Sequence, residues 1–262
     1  MSMIERMRPR AGLRVLVTAG ASGIGAAIAG AFLEAEARVL TCDIDEMALA
    51  SFAEQHPEVE TLLADISNEA QVDALLDAAS ARLGGLDVLV NNAGIAGPTG
   101  AIDELSVEDI RRTVDIDLMG QFLVLRRAAP LLRASDAGLI LNISSVAGRL
   151  GYALRTPYSA AKWGIVGLTQ SLAKEMGPDG VRVNAILPGV VRGARIEGVI
   201  RDRAIAAGVS YAEMEAQYLS NISLRRMVEP EDVAATALFL ASPGGANISG
   251  QAISVCGNVE NI

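Results

Sequence analysis

The chain is poor in the residues that most metal and thiol chemistry requires. One histidine (His56) and two cysteines (Cys42 and Cys256) occur in 262 residues. The cysteines stand far apart with no ligand-like spacing, so neither a disulfide framework nor a metal site is expected. His56 is followed by Pro57, as in a surface loop, which removes Ser-His-Asp hydrolysis and most metal chemistry from consideration. Basic residues are in the minority: 22 Lys and Arg against 31 Asp and Glu give a net charge of −9. That balance argues against a nucleic-acid partner or an anionic membrane surface. No apolar run approaches a membrane span. The start, MSMIERMRPR, has no apolar stretch behind its basic residues, so no signal peptide and a cytoplasmic location are expected. Linkers rich in Pro, Gly or Ser, low-complexity tracts and residue-level repeats are also missing, which points to one domain.

What is present is an alternation. The apolar runs LRVLVT (13–18), RVLTCD (38–43), VETLLAD (59–65), LDVLVNN (86–92), GLILNIS (138–144), VRVNAIL (181–187) and QAISVC (251–256) are separated by longer helical patterns. Near-continuous apolar strands between helices indicate a doubly wound α/β domain, a mostly parallel sheet covered by helices on both faces. We read residues 1–10 as an N-terminal tail and 11–262 as the domain. In such folds ligands lie outside the carboxyl ends of the strands.

The unusual residues collect at those ends. TAGASGIG (18–25) is a glycine-rich turn opening a helix. There Gly20, Gly23 and Gly25, with Ser22 and Ile24 between them, would let the backbone approach a pyrophosphate favoured by the helix N-terminus. Glycine is also the steric requirement of any tight strand-to-helix turn. Asp43, ending the second strand, can accept from the adenosine ribose hydroxyls of NAD and repel a 2′-phosphate; the alternative is a cap for the helix beginning near Asp45. Farther along, PYSAAK places Tyr158 and Lys162 four residues apart, on one side of a helix. A phenol beside an ammonium can be a tuned acid or base.

These segments, with NNAG (91–94), NISSVAG (142–148), RVNAILPG (182–189) and ISGQAISVCG (248–257), occur in an order and spacing that resemble the single-domain short-chain dehydrogenases/reductases over residues 11 to 258. The resemblance implies a Rossmann-like sheet of about seven strands, a nicotinamide cofactor, a Ser-Tyr-Lys site and a homotetramer. It assigns the active serine to Ser145 rather than Ser144, beside Tyr158 and Lys162, with Lys162 also on the nicotinamide ribose. By the same resemblance Asp65 and Ile66 contact adenine, and Asn91, Ala93 and Gly94 line the cofactor. Pro188 and Gly189 flank the nicotinamide, and Val191 offers backbone groups to its carboxamide. For Asn91 and Asn184 a backbone-bracing role is an equal alternative.

Four departures stand out. Ala19 takes the first glycine's place, with Gly20 after it, which predicts a bend shifted by one residue. Gly193 stands where a carboxamide-binding Thr is frequent, and Cys256 where an Asp is common. In DIDLMGQF (115–122) the residue in register with the usual Asn is Asp117. A carboxylate there would hold Lys162 protonated while offsetting the field on Tyr158; alternatively it points elsewhere and only the backbone carbonyl serves.

The expected activity is interconversion of a secondary alcohol and a ketone with NAD, and the rival is an NAD-binding scaffold or sensor with little turnover. Ile44, after Asp43, supplies no cation for a 2′-phosphate. The substrate-covering segment is placed at about 190–223. The arginines and tyrosines on that segment and on the loop after Ser145 suggest a small polar, anionic or polyol-like substrate. Arg149, Tyr152 and Arg192 are the candidate contacts among Arg155, Arg195, Tyr211 and Tyr218; the alternative is that most face solvent or pair with Glu197, Asp202 and Glu213.

Overall fold

The computed structural model describes residues 2–259; residue 1 of the expected tail and residues 260–262 of the expected domain lie outside the described residues. The chain runs α1 (Met3–Arg6), β1 (Arg14–Thr18), α2 (Gly23–Glu34), β2 (Arg38–Asp43), α3 (Glu46–Gln55), β3 (Glu60–Leu63), α4 (Glu69–Leu83) and β4 (Val88–Asn91). It continues through α5 (Val107–Val114), α6 (Gly120–Arg133), β5 (Leu139–Ile143), α7 (Thr156–Met176) and β6 (Arg182–Pro188), then α8 (Ala194–Ala207), α9 (Tyr211–Ser220), α10 (Pro230–Ala241) and β7 (Ala252–Val255). The expected tail thus carries a short helix, closed by a capping box between Ser2 and Glu5.

The seven strands form one sheet in the order β3-β2-β1-β4-β5-β6-β7, and every pairing is parallel. Alternate residues of each strand feed opposite layers. Val15, Val17, Val88 and Val90 pack with Ile28 and Phe32 of α2 and Val233 and Leu240 of α10. Leu16, Leu89 and Ile140 pack with Leu75 of α4, Val124 of α6 and Leu168 of α7. The order reverses between β1 and β4, so the loops leaving those two strands diverge and open a crevice. Helices α8 and α9 form a smaller layer of their own, where Ile200, Met214 and Tyr218 pack with Val146 and Val190. That layer coincides with the expected substrate-covering segment.

Helix starts follow local chemistry. Asp45 accepts from the backbone of Met47 and Ala48, Asn68 from Gln71, Ser106 from Asp109 and Ser210 from Glu213. Cys42 is buried inside the sheet, and burial pushes its thiol up to about 12, which leaves it inert as a nucleophile.

At the amino end of the sheet, Asp87 fixes β1 against the segment leading into β4. Burial disfavours its carboxylate. Against that act Arg14, which donates from Nε (3.0 Å), Nη2 (2.6 Å) and its backbone N (2.8 Å), and Ser135 Oγ at 2.6 Å. The hydrogen bonds and the Arg14 charge win, lowering Asp87 to about 2. A value below that of the unfolded chain means the contribution is complete above about pH 4 and is lost as pH falls through the folded value. Asp87→Asn is expected to lower the unfolding free energy by about 2 kcal/mol near neutral pH, with the difference closing by about pH 2. Urea titrations across that range check it; a loss that did not change with pH would refute the ionic account.

Candidate active site

The cradle begins where β1 meets α2. Thr18 is a hub: its Oγ1 accepts from the backbone N of Asn92 (2.9 Å) and Ala93 (3.0 Å). Asn92 Nδ2 in turn donates to the carbonyls of Thr18 and Ala19, both at 3.0 Å. These bonds tie the two diverging loops together and hold the Ala19 peptide. The bend is not shifted along the chain: Ala19 itself adopts a left-handed conformation, φ 50°. Gly20 is needed for a different reason, since a Cβ there would run into Thr41 Oγ1, and one on Gly25 would run into the Ala19 carbonyl. Gly23 sits at φ 52° and opens α2. Ser22 makes no cap bond and the first turn of α2 carries no acidic side chain, unlike that of α3, α4, α5 or α9. The free N–H groups of residues 23 to 25 therefore suit an anion. Ile24 packs half-buried against the α2–α10 layer.

Asp43 lies at the end of β2 beside this turn. Its Oδ1 accepts from Ile44 N (2.8 Å) and Asp45 N (3.2 Å), and its Oδ2 from Ala21 N (3.4 Å). It is not the helix cap, a task Asp45 performs. Asp65 Oδ1 accepts from Ser67, and Ile66 is buried with Gly120 against its side chain. Asn91 is fully buried and donates to the Gln121 carbonyl at 3.2 Å, so its side chain braces α6. Asn184 likewise braces the segment before β7, through Ile248 O and Gln251 N. Pro188 ends β6, and Gly189 packs against Cys256 where a Cβ would not fit. A parallel bridge joins Val191 to Val228 through the backbone groups of residues 190 and 192. The N–H and carbonyl of Val191 itself are not used by that bridge. Gly193, at φ 142°, precedes α8.

The reactive groups converge on the carboxyl end of β5. Ser144 Oγ donates to the Lys162 carbonyl at 2.7 Å, which occupies it structurally. Ser145 Oγ accepts from Ala147 N at 3.1 Å and keeps its own proton to donate. Lys162 is 3% exposed; its Nζ donates to Ile143 O at 3.3 Å and lies 5.6 Å from the centre of the Tyr158 ring. Asp117, fully buried in a π-helical turn at Asp115–Met119, places Oδ2 3.9 Å from Lys162 Nζ, and its Oδ1 accepts from Ile95 N at 2.6 Å. Its carboxylate therefore points at the lysine. Burial pushes the Asp117 carboxyl up from the usual range, opposed by Lys162, the Ile95 N–H, Arg195 and Arg155. Gly94 leaves room between them, since a Cβ there would lie 3.1 Å from Asp117 Oδ1 and 3.2 Å from Lys162 Nζ.

The candidate substrate residues divide. Arg149 donates to Ser254 Oγ and Ala252 O on β7, and Arg192 pairs with Glu229 at 2.9 Å, so neither points into the crevice. Tyr152 does reach the site's rim, its hydroxyl 2.6 Å from that of Tyr218 on α9. Burial raises Tyr218, helped by Tyr152 and opposed by Arg203. Three further participants carried weak or no signal in the sequence: Thr18, Asn92 and Arg155. Arg195 donates to Gly94 O at 2.7 Å.

With this geometry in hand, comparison with known proteins gives concordant matches. A family model described as "Enoyl-(Acyl carrier protein) reductase" matches residues 18–258. The cis-4-hydroxycyclohexanecarboxylate dehydrogenase of Sinomonas cyclohexanicum is 37% identical, over 92% of this chain and 94% of its own. The galactitol 2-dehydrogenase of Agrobacterium fabrum is 37% identical, over 92% and 95%. Among solved structures, an actinorhodin polyketide ketoreductase variant with NADPH superposes with a TM-score of 0.89 at 34% identity, covering 96% of this chain and 98% of that one. A 3-ketoacyl-(acyl-carrier-protein) reductase from Brucella melitensis complexed with NADH gives 0.85 at 30%, covering 95% and 99%.

The left-handed Ala19 makes a direct test of the turn possible. An L-residue at that φ costs about 1 kcal/mol that glycine does not incur. Ala19→Gly is expected to raise stability by about that amount and the melting temperature by about 2–4 °C. An unchanged or lower melting temperature would show that the Asn92 bonds already relieve the strain.

Proposed function

The chain belongs to the short-chain dehydrogenase/reductase family, and on that premise we propose that it interconverts a secondary alcohol and a ketone with NAD. The observation that carries the reading is the buried Lys162, one turn from Tyr158, with Gly94 leaving space against it. The residues fit a nicotinamide dinucleotide: the uncapped α2 start and Gly20–Gly25 turn would hold the pyrophosphate, Asp43 the adenosine ribose, and Lys162 the nicotinamide ribose. Asp65 and Ile66 flank the adenine place, Ala93 and Gly94 the middle, and Pro188, Gly189 and Val191 the carboxamide end. When bound, the nicotinamide supplies or accepts the hydride.

The chain's own residues handle the proton. Oxidation removes a hydride from the alcohol carbon and a proton from its oxygen, and Tyr158 takes that proton. In reduction it returns the proton to the carbonyl oxygen. The Lys162 ammonium favours the charged form of the phenol. Ser145, its O–H free to donate, orients the substrate oxygen and stabilises charge developing on it.

NAD is favoured over NADP because Asp43, Asp45 and Glu46 crowd the place of a 2′-phosphate with negative charge, and residues 19–25 and 44–46 hold no cation. The substrate reading, a small polar, anionic or polyol-like alcohol, draws support from the two relatives named for a hydroxycyclohexanecarboxylate and galactitol. Within the α8–α9 layer, Arg203, Gln217, Tyr218 and Asn221 line with Val190, Met214 and Val259 a small cavity of about 60 Å³. A homotetramer in the cytoplasm completes the proposal. Assembly is supported by Met119, Phe122 and Trp163, exposed apolar side chains on or beside α6 and α7, with Trp163 50% exposed.

Purified protein with NAD and a panel of polyols and hydroxy acids should generate reduced nicotinamide, read by its absorbance. Specificity for NAD over NADP should be at least about tenfold, the size of one lost charged contact. Equal specificity constants would remove the cofactor assignment, and no turnover with any member of the panel would favour the scaffold reading. Asp117 allows a second test. Its carboxylate faces Lys162 and offsets the field on Tyr158, so Asp117→Asn should move the alkaline rise of oxidation to lower pH, by about half a unit to one unit. Superimposable pH–rate profiles would show that the carboxylate does not act on the pair.

A further inference from the structure

The cluster around Tyr158 holds one buried cation more than the reaction above uses. Arg155 precedes α7 and is 2% exposed, yet among the described residues no carboxylate lies within ion-pair distance of it. Its Nη2 donates to the Ala96 carbonyl, and its Nε is buried without a hydrogen-bond partner. A guanidinium stays charged in proteins, and one buried without a counter-ion is costly.

Its neighbours are aromatic faces. The guanidinium carbon lies 5.3 Å from the centre of the Tyr152 ring and 5.1 Å from that of Tyr158. Arg203 of α8 stands 5.3 Å from the Tyr152 ring and 5.6 Å from the Tyr218 ring. Cations and tyrosines thus alternate from the α8–α9 layer to the site: Tyr218, Arg203, Tyr152, Arg155, Tyr158, Lys162. The Tyr152–Tyr218 hydroxyl bond closes the far end of the stack. Arg155 is therefore held in place from both sides, with one side being the phenol that exchanges the proton.

Two cations stand beside the Tyr158 ring, Lys162 from α7 and Arg155 from the residue before it. Around them lie Asp117 of the π-helical turn, next to Lys162, the Tyr152 ring of the preceding loop, next to Arg155, and Arg195 at the head of α8, bonded to Gly94 O. Asp117 is directed at Lys162 and withdraws part of the positive field that Lys162 would impose. Arg155, beside the Tyr158 ring, feels Asp117 only at longer range and has no carboxylate within ion-pair distance among the described residues.

We propose that Arg155 is a positioning residue for proton exchange: it supplies to Tyr158 the positive field that Asp117 takes from Lys162, so that Asp117 and Arg155 act as a matched pair of opposite charges. This rests on the reading of Tyr158 as the proton-exchanging group, and its test is chosen to need neither substrate nor cofactor. The ionisation of Tyr158 is read in the protein alone, as the ultraviolet difference between each variant and the same variant carrying Tyr158→Phe.

Arg155→Met deletes the charge and keeps the bulk, and it should raise the Tyr158 midpoint by about one unit. Arg155→Lys should stay within about half a unit of the wild type. Asp117→Asn/Arg155→Met removes one charge of each sign and should return the midpoint close to the wild-type value. This double variant also keeps the test open if Arg155→Met does not fold. An Arg155→Met midpoint equal to the wild type, a double variant displaced as far as Arg155→Met, or, where Arg155→Met does not fold, a double variant displaced from the wild type by a full unit would overturn the proposal. Midpoints that move as expected in a protein that turns over no alcohol would leave the charge pairing standing and remove the activity. Turnover with an unmoved midpoint would do the reverse.

Discussion

A buried ammonium governs this structure. Lys162 is taken out of water at the end of a sheet whose strands all run the same way, and a charge in that position has to be answered locally. The answers come from three directions: the carbonyl of Ile143 at the end of β5, the carboxylate of Asp117 across the crevice, and the ring of Tyr158 one helical turn away. Each requires a piece of backbone to be in one place. Ser144 pins the Lys162 carbonyl, Gly148 makes room for that contact, and the π-helical turn swings Asp117 inward. Even Gly94 answers to this requirement, being the residue whose missing side chain keeps the approach to the lysine open.

The all-parallel arrangement makes such a concentration of polar groups affordable. Its strands are mostly apolar, and the few buried polar side chains inside them are bonded individually, as Thr41 to Val17 O, Asn142 to Thr169 and Asn184 to Ile248 O. The demanding residues are displaced to the carboxyl ends, where Thr18, Asn92, Asp43 and Asp117 bond to backbone groups of neighbouring loops. The amino end is built differently, with Asp87 and Arg14 closing the sheet by charge. One end is thus locked and the other is held open by directional bonds.

Much of this was legible in the sequence because the signals are local. Seven apolar runs gave seven strands, with boundaries within about two residues, since mostly apolar strands leave few polar positions to blur the pattern. The glycine turn, Tyr158 and Lys162 were equally visible. Ala19 was misread because a bend is usually placed on the nearest glycine, whereas here Asn92 holds the Ala19 carbonyl and Gly20 is reserved for the close approach of Thr41. Arg149 and Arg192 read as pocket cations by proximity in sequence, yet one reaches to β7 and the other to Glu229. Arg155 belongs to the same group in the sequence but does not stand out there, because only the stacking of Tyr152 and Tyr158 encloses it.

Trp163 follows Lys162 directly along α7, so the helix that carries the reactive lysine also carries the chain's one tryptophan on its outer face. The protein therefore has, beside its four tyrosines, a single tryptophan with an unambiguous address. Its emission responds to what covers the outside of α7, such as another copy of the chain. Burial of that face on association is in this way readable without any label.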